Sequence, residues 1–563
     1  MYRYIFTDVK HVIYSCLIFC TQLLGAQSTD YPLNQRSYEI IDELDVKGKN
    51  SFFSTVKPIS RKKTADALRA YQAEDNVIDQ ANTQYLRLES REYLDSVAPS
   101  KKSLWNKFYE YPSDFLSYSG ESFDLHLNPV WLFGGGQERF QDETLFQNYR
   151  GIELRGTIDK KVAFYALINE NQARYPGYVK NMTDSTLAIP YEGFWKQYQT
   201  TGVDFLRTQG YIDFNVTKHI GAQMGYGKHF VGDGIRSMIL SDFGNNYPYL
   251  RVTADVWKIQ YTNIFAQLVA QTSGGEFGLL GVAEFPQKFL SFHRLGIDIT
   301  ENLNIGLFES VIFGEADSLG GSSFKAQYLN PVIFYLALEQ QAGSSDNVII
   351  GLDFKWNLWR TASLYGQLVI DEMVVSETLS STGWWGSKQA FQLGAKYFDV
   401  FGIENFNAQA EYNAARPYTY AHDDYFTSYT HYNMPLAHPL GANFKELLFK
   451  ASYQPFPKWK ITGTLLSAQY GTDLDSASYG RNIQRSYNDR PESDYRGIKI
   501  GNGNTTDLLM LQGVVSYYWR HNTTVDLSVA YRREKAQVIP NQQSTTIFGL
   551  TFRWNFPGRS YLF

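Results

Sequence analysis

Ser544–Phe556 reads STTIFGLTFRWNF. Phe548, Leu550, Phe552, Trp554 and Phe556 alternate there with Gly549, Thr551, Arg553 and Asn555. A β-strand sends successive side chains to opposite faces, so this segment has one apolar and one polar face. A tilted strand needs roughly 9–11 residues to cross a bilayer, and the run is long enough. The sequence continues to another aromatic, Phe563, the ending that outer-membrane barrels commonly carry.

The same alternation recurs upstream. Ile152, Leu154, Gly156 and Ile158 oppose Glu153, Arg155 and Thr157; Leu250, Val252, Ala254 and Val256 oppose Arg251, Thr253 and Asp255. Ile212/Phe214/Val216, Leu295/Ile297/Ile299 and Val525/Leu527/Val529 repeat it. Short turns fall at 159–161, 217–219, 257–258, 300–302, 357–360, 400–405, 457–458 and 520–522. Between them lie longer connections rich in Gly, Tyr and Asn, at about 134–147, 172–202, 230–247, 271–287, 314–345, 372–388, 416–444, 471–506 and 534–543. Strict alternation of short and long is how outer-membrane barrels sort periplasmic turns from outer loops. The pattern predicts an all-β transmembrane barrel of about 18 antiparallel strands over 116–563, with both termini on the periplasmic side. Soluble stacked sandwiches would have strands nearer ~5–6 residues.

Composition agrees. The chain is 16% aromatic and 19% charged, with 41 Tyr and 44 Gly. Lumen-facing polar residues dilute the lipid-facing ones in a barrel, while Tyr and Trp gather in interfacial girdles. A net charge of −5 gives no basic surface for nucleic acid. Residues 1–26 read as a secretory signal: Arg3 and Lys10 precede the apolar run Val12 to Leu24, then Gly25-Ala26. Both cysteines, Cys16 and Cys20, lie in it, so the remainder has no thiol chemistry. Residues 27–115 form a polar periplasmic arm, helical in pattern over 61–97 with Leu68, Tyr71, Ile78, Tyr85 and Leu88 on one face. This arm would pack on itself or on the barrel rim, plug the barrel, or meet a periplasmic or envelope protein.

No catalytic constellation emerges. Ala316-Asp317-Ser318-Leu319 resembles a lipase block but lacks its leading Gly and sits in a loop. His422, Asp423, Asp424, His431 and His438 crowd one loop without a recognised ligand spacing, so no metal and no cofactor are assigned. Gly134-Gly135-Gly136 and Gly232-Asp233-Gly234 precede no helix and read as tight loop geometry, not phosphate loops. Aromatics of the outer loops are the better candidates. Tyr191 and Trp195, Trp384 and Trp385, and Tyr418 and Tyr425 are the residues chosen to stack on pyranose faces.

Short blocks in fixed order carry a family resemblance over about 105–560: Asn128-Pro129-Val130, Asn148-Tyr149-Arg150-Gly151, Gly225-Tyr226-Gly227, Gly232-Asp233-Gly234, Leu240-Ser241-Asp242, Gly351-Leu352-Asp353-Phe354, Leu364-Tyr365-Gly366-Gln367 and His438-Pro439-Leu440-Gly441. In these the chain resembles the Wzi-type capsule-assembly outer-membrane barrels, and within that group the RemB-like proteins of gliding bacteria. The resemblance implies an 18-stranded barrel with a periplasmic helical part and a non-enzymatic role holding exopolysaccharide or capsular glycan at the cell surface. It carries no ligand residue over position by position. The expectation is an outer-membrane barrel, embedded in lipid, that binds surface polysaccharide without turnover. An accessory role in gliding motility or surface secretion, and a diffusion porin, are the alternatives.

Overall fold

The structure, a computed structural model, describes residues 28–48, 54–71, 76–94, 108–272, 285–314, 324–330, 335, 346–379, 382–474, 476–493 and 495–563. The signal-like segment 1–26 and the Ala316–Leu319 block lie outside them.

Eighteen strands form one closed antiparallel barrel. They are β1 (Phe123–Glu138), β2 (Leu145–Ile158), β3 (Val162–Arg174), β4 (Gly202–Asn215), β5 (Ile220–Gly227), β6 (Tyr247–Val256), β7 (Ile259–Val269), β8 (Gln287–Thr300) and β9 (Leu303–Phe313). The circuit continues through β10 (Asn347–Leu358), β11 (Ala362–Glu372), β12 (Lys388–Tyr397), β13 (Phe406–Ala415), β14 (Phe444–Phe456), β15 (Trp459–Thr472), β16 (Asn504–Arg520), β17 (Thr523–Ala536) and β18 (Asn541–Trp554). Each pairs with the next, and β18 closes on β1, with Trp554 opposite Trp131 and Gly549 opposite Gly136. The stagger leaves Asp124–Leu127 of β1 beyond the reach of β18, and Leu116–Ser119 pairs there instead.

The barrel is apolar outside, while its inside combines buried charges with the main hydrophobic core, where inward-facing Leu132, Leu290 and Phe292 meet Met238, Leu436 and Phe563 of the inserted segments. Leu206 and Leu527 on the outer face are 64% and 61% exposed, whereas Arg294 on the inner face is 1% exposed. Such a surface is stable only where hydrocarbon covers the outside. No helix among the described residues is long and apolar enough to cross a membrane.

Two expectations about the strand pattern change. Gly134-Gly135-Gly136 is not a loop: it lies within β1 against Gly549–Thr551, and a Cβ on Gly136 would come 2.5 Å from the Phe548 carbonyl. The first and last long connections therefore shrink to 139–144 and 537–540. Beyond Trp554 the chain does not extend the strand to an aromatic end. Residues 555–563 turn back into the lumen, where Phe556 and Phe563 are buried. The Tyr178 hydroxyl donates to the Tyr561 carbonyl at 2.7 Å, Ser560 to Gln512 at 2.7 Å, and Arg532 to the Phe563 carbonyl at 3.2 Å.

The arm packs on itself and touches the short-turn rim, as expected, and it also enters the lumen. Helices α1 (Arg36–Lys47), α2 (Arg61–Ala70) and α3 (Val77–Glu89) share a small apolar core of Tyr31, Ile41, Leu44, Leu68 and Leu86. Their other faces carry charges that pair with the barrel interior. Asp30 meets Arg251 at 2.8 Å, Asp42 meets Lys396 at 2.7 Å, and Asp45 meets Lys355 at 2.5 Å. Glu39 bridges Lys450 and Lys460. Glu89 accepts from His521 and Asn522, both at 2.7 Å, at the last short turn. Helix α1 was not foreseen, and the helical pattern over 61–97, expected to give a helix pair, forms α2 and α3.

Two long connections also fold inward. Residues 228–246 descend until Val231 pairs with Val56 of the arm. There Gln367 donates to the Val231 carbonyl at 2.9 Å and accepts from the Met238 amide at 2.7 Å. Gly232 has φ +147, and a Cβ on it would lie 2.5 Å from the Gln367 amide nitrogen, so this position requires glycine. The Thr55 hydroxyl bonds the neighbouring Asp233 at 2.9 Å. Residues 416–443 fill the long-loop end: Tyr420 donates to the Met238 carbonyl at 2.7 Å, and Lys288 to the Ser428 carbonyl at 2.7 Å.

Candidate aromatic platform on the long loops

The expected site residues divide into separate places. The connections 373–387, 416–443 and 473–503 meet at the long-loop end and bring three of the six together. Gly383 lets two backbones touch: its φ is +68, and a Cβ would come 2.9 Å from the Ile498 nitrogen. Ile498 donates to the Gly383 carbonyl and Gly497 to the Thr382 carbonyl, both at 2.9 Å, and Trp385 to the Tyr495 carbonyl at 3.3 Å. Gly386 has no side chain to obstruct the Trp384 ring, which would stand 2.4 Å from a Cβ there. Arg416 clamps the turn by donating to the carbonyls of Ser387 at 2.6 Å and Trp384 at 3.2 Å.

The outcome is a half-buried aromatic platform. The Trp385 ring lies 6.0 Å from Trp384, 5.1 Å from Tyr487 and 6.4 Å edge-on from Tyr418. Arg490 sits 4.0 Å over Trp385, and the Lys388 ammonium 4.1 Å over Tyr487. Lys388 also pairs with Glu372 at 2.9 Å. Tyr418 itself is buried, its hydroxyl donating to the Ser478 carbonyl at 3.0 Å, so it supports the platform from beneath. Tyr487 and Arg490 were missed in the sequence because they arrive from a different loop. Only their spacing within an aromatic and charged stretch marks them.

The other three stand apart. Tyr191 is half-buried against Phe243 and Tyr561, and donates to the Ser560 carbonyl at 3.2 Å. Trp195 is 7% exposed inside the main core. Tyr425 is exposed beside Phe426.

His422, Asp423 and Asp424 do lie together, their ligand-type atoms within 4.8 Å of one another. They are used locally: the Thr427 hydroxyl lies 2.8 Å from His422 Nδ1, and its amide donates to Asp424 at 2.9 Å. His431 and His438 are buried elsewhere in the same loop. His431 Nδ1 accepts from the Val269 amide at 2.9 Å while Nε2 donates to the Asn246 carbonyl at 3.1 Å, a neutral imidazole tying three segments. Burial lowers it to about 3. Lys228 is lowered to about 7 by burial among the carbonyls of Tyr191, Asp242 and Gly244.

Beneath the loops a cavity of about 630 Å³ with mixed polar and apolar lining runs beside the last strands. Gln512, Ser516, Thr524, Asp526, Ser528, Thr551 and Arg553 form its wall, while α1 and residues 555–562 form its inner side. The arm and the inserted loops take up other parts of the lumen.

No protein-family model matches the sequence, and no curated protein matches it. Solved structures do. Wzi of Escherichia coli, described as an outer membrane protein involved in group 1 capsule assembly and a carbohydrate-binding β-barrel, superposes with a TM-score of 0.55 at 12% identity over 94% of this chain and 99% of its own. OprD of Pseudomonas aeruginosa gives 0.41 at 10% identity over 76% of this chain and 94% of its own. OccAB2 of Acinetobacter baumannii gives 0.41 at 7% identity over 77% of this chain and 99% of its own. The likeness to Wzi is one of fold: this chain has the architecture of an eighteen-stranded outer-membrane β-barrel with a small helical arm before it.

Proposed function

We propose that this chain lies in the outer membrane with its long loops outward and binds surface polysaccharide at the Trp384/Trp385/Tyr487 platform, without turnover. The observation that carries the reading is the platform itself: half-buried aromatic rings, supported from below by Tyr418 and the buried Lys388 and bordered by Arg490 and Glu372. Aromatic faces suit the apolar faces of pyranose rings, and the bordering charges suit hydroxyl or carboxylate groups. The arm and inserted loops narrow the lumen to a side cavity, which favours a binding role over free diffusion through a wide pore. Recognition would be multivalent, with weak contacts repeated along a polymer. The carbohydrate binding described for Wzi is consistent with this role.

The test is retention of extracted exopolysaccharide by whole cells, with Trp384→Ala/Trp385→Ala compared with wild type at equal levels of folded barrel. Loss of polymer supports the reading. Unchanged retention, in a deletion strain as well, overturns it and turns attention to a motility or secretion accessory role.

A further inference from the structure

Four of the eight short turns carry a tryptophan beside a cation: Trp257-Lys258, Trp359-Arg360, Lys458-Trp459 and Trp519-Arg520. Trp257 and Trp359 are 83% and 82% exposed. Both have left-handed backbones, φ +55 and +50, and Arg360 follows at +59. Tight turns of this geometry favour Asn, Asp and Gly, because a bulky side chain is disfavoured in the left-handed region. Trp-Arg and Trp-Lys at such positions therefore point to a demand on the side chains. Lys258 lies 5.8 Å from the Trp257 ring, and Arg520 5.4 Å from the Trp519 ring.

Three carboxylates at this rim turn toward the arm: Asp255 pairs with Lys63 at 2.5 Å, Asp399 with Lys47 at 2.7 Å, and Glu404 accepts from Asn76 at 2.8 Å, while Asp159 and Glu301 stand exposed in two other turns. Inside the barrel Arg155, Arg251, Arg294 and Lys355 each meet a carboxylate. Among the described residues Lys258, Arg360, Lys458 and Arg520 enter no ion pair. Just inward of them, the outer face becomes apolar at Val256, Trp356, Phe456 and Ile461. The four turns are spread around the circumference, from the β6–β7 turn to the β16–β17 turn. A globular partner would touch one side of the rim, whereas a bilayer surrounds it.

We propose that these turns form a belt that binds the phosphate headgroups of anionic phospholipid in the leaflet at the short-turn end. The indoles occupy the interface, where tryptophan is favoured. The cations beside them meet the lipid phosphates. The belt requires only a barrel in a bilayer and does not depend on polysaccharide binding.

The experiment uses the full chain folded into phosphatidylcholine vesicles with or without phosphatidylglycerol, released into mild detergent, and read for retained lipid by native mass spectrometry. Wild type retains phosphatidylglycerol in preference to phosphatidylcholine. The variant Lys258→Gln/Arg360→Gln/Lys458→Gln/Arg520→Gln loses that preference by roughly fivefold per cation, since each basic residue near an anionic surface contributes a comparable factor. Arg533→Gln/Lys535→Gln, exposed at the opposite rim, leaves the preference intact. Lys258→Gln/Arg360→Gln serves if the fourfold variant fails to fold. No preference in wild type, an unchanged preference in the turn variants, or an equal loss in the opposite-rim variant overturns the proposal.

Discussion

The Glu39 carboxylate on α1 and the Lys450 ammonium on β14 meet at 2.8 Å across 411 positions of sequence. Lys460 on the adjacent strand grips the same carboxylate. Burial alone would raise the Glu39 pKa, but the two lysines hold it well below the usual carboxylate range. Docking at this point is therefore in force above about pH 4.5 and is lost as falling pH protonates Glu39. Glu39→Lys sets three cations together and is expected to make the arm trypsin-sensitive in the folded barrel. Because the groups are half-exposed to cavity water, the single pair contributes only about 0–1 kcal/mol, and Glu39→Gln should release the arm less than Glu39→Lys.

Arg155 on β2 is a stronger tie. It is buried, meets Asp114 at 3.0 Å and also bonds Glu92. Arg155→Met strands buried carboxylates and is expected to cost about 3–5 kcal/mol, seen as a lower temperature for loss of heat-modifiable gel mobility.

Acid should weaken the inserted loop 416–443. An unfolded histidine titrates near 6.5, whereas His431 is held at about 3. Between those values the unfolded chain binds the additional proton, so stability falls as pH drops from about 6.5 toward 3. The slope attributable to His431 is at most about 1.4 kcal/mol per pH unit. His431→Gln should flatten the pH dependence of the melting temperature across that interval.

Trp385→Ala and Tyr487→Ala are expected to reduce polymer binding by roughly tenfold or more, because each lost contact recurs along the chain of sugars. Trp195→Ala provides the contrast. It empties a core position, costing about 3–5 kcal/mol of stability, and leaves polymer affinity of the folded protein unchanged in a glycan pull-down.

The two faces of a strand should also respond oppositely. Leu527→Arg places a charge on the outer surface and is expected to cost about 2–4 kcal/mol if the site lies near the bilayer midplane. Ser528→Asn, one residue on and facing the cavity, should be nearly neutral. Urea titration of the protein folded into vesicles separates them.

The strands were legible because two environments write opposite characters on alternate residues, and the eight short turns were legible because their spacing is so tight. The contents of the lumen were not. Helix α1 docks through Glu39, Asp42 and Asp45, so the face it buries looks solvent-exposed in sequence. Residues 228–246, 416–443 and 555–563 carry short apolar runs such as Met238-Ile239-Leu240 that join the buried core inside the barrel, but they lack a strand or helix period that would distinguish them from outer loops. Trp385 and Tyr418 were recognised as aromatics of outer loops, but neither the burial of Tyr418 and Trp195 nor the arrival of Tyr487 is written in local composition. Those depend on which loops meet.

The arm's contacts also impose an order of events. Its partners are Arg251 on β6, Lys355 on β10, Lys396 on β12, Lys450 on β14 and His521 after β16. These are scattered over most of the circumference, and they surround a single space only once β18 has met β1. Complete seating of the arm therefore requires the closed ring and reports that it is complete. An assembly with a misplaced strand would leave several carboxylates of α1 without partners and the arm hanging free, open to proteases. The ion pairs inside the lumen thus act as an inspection of the finished wall.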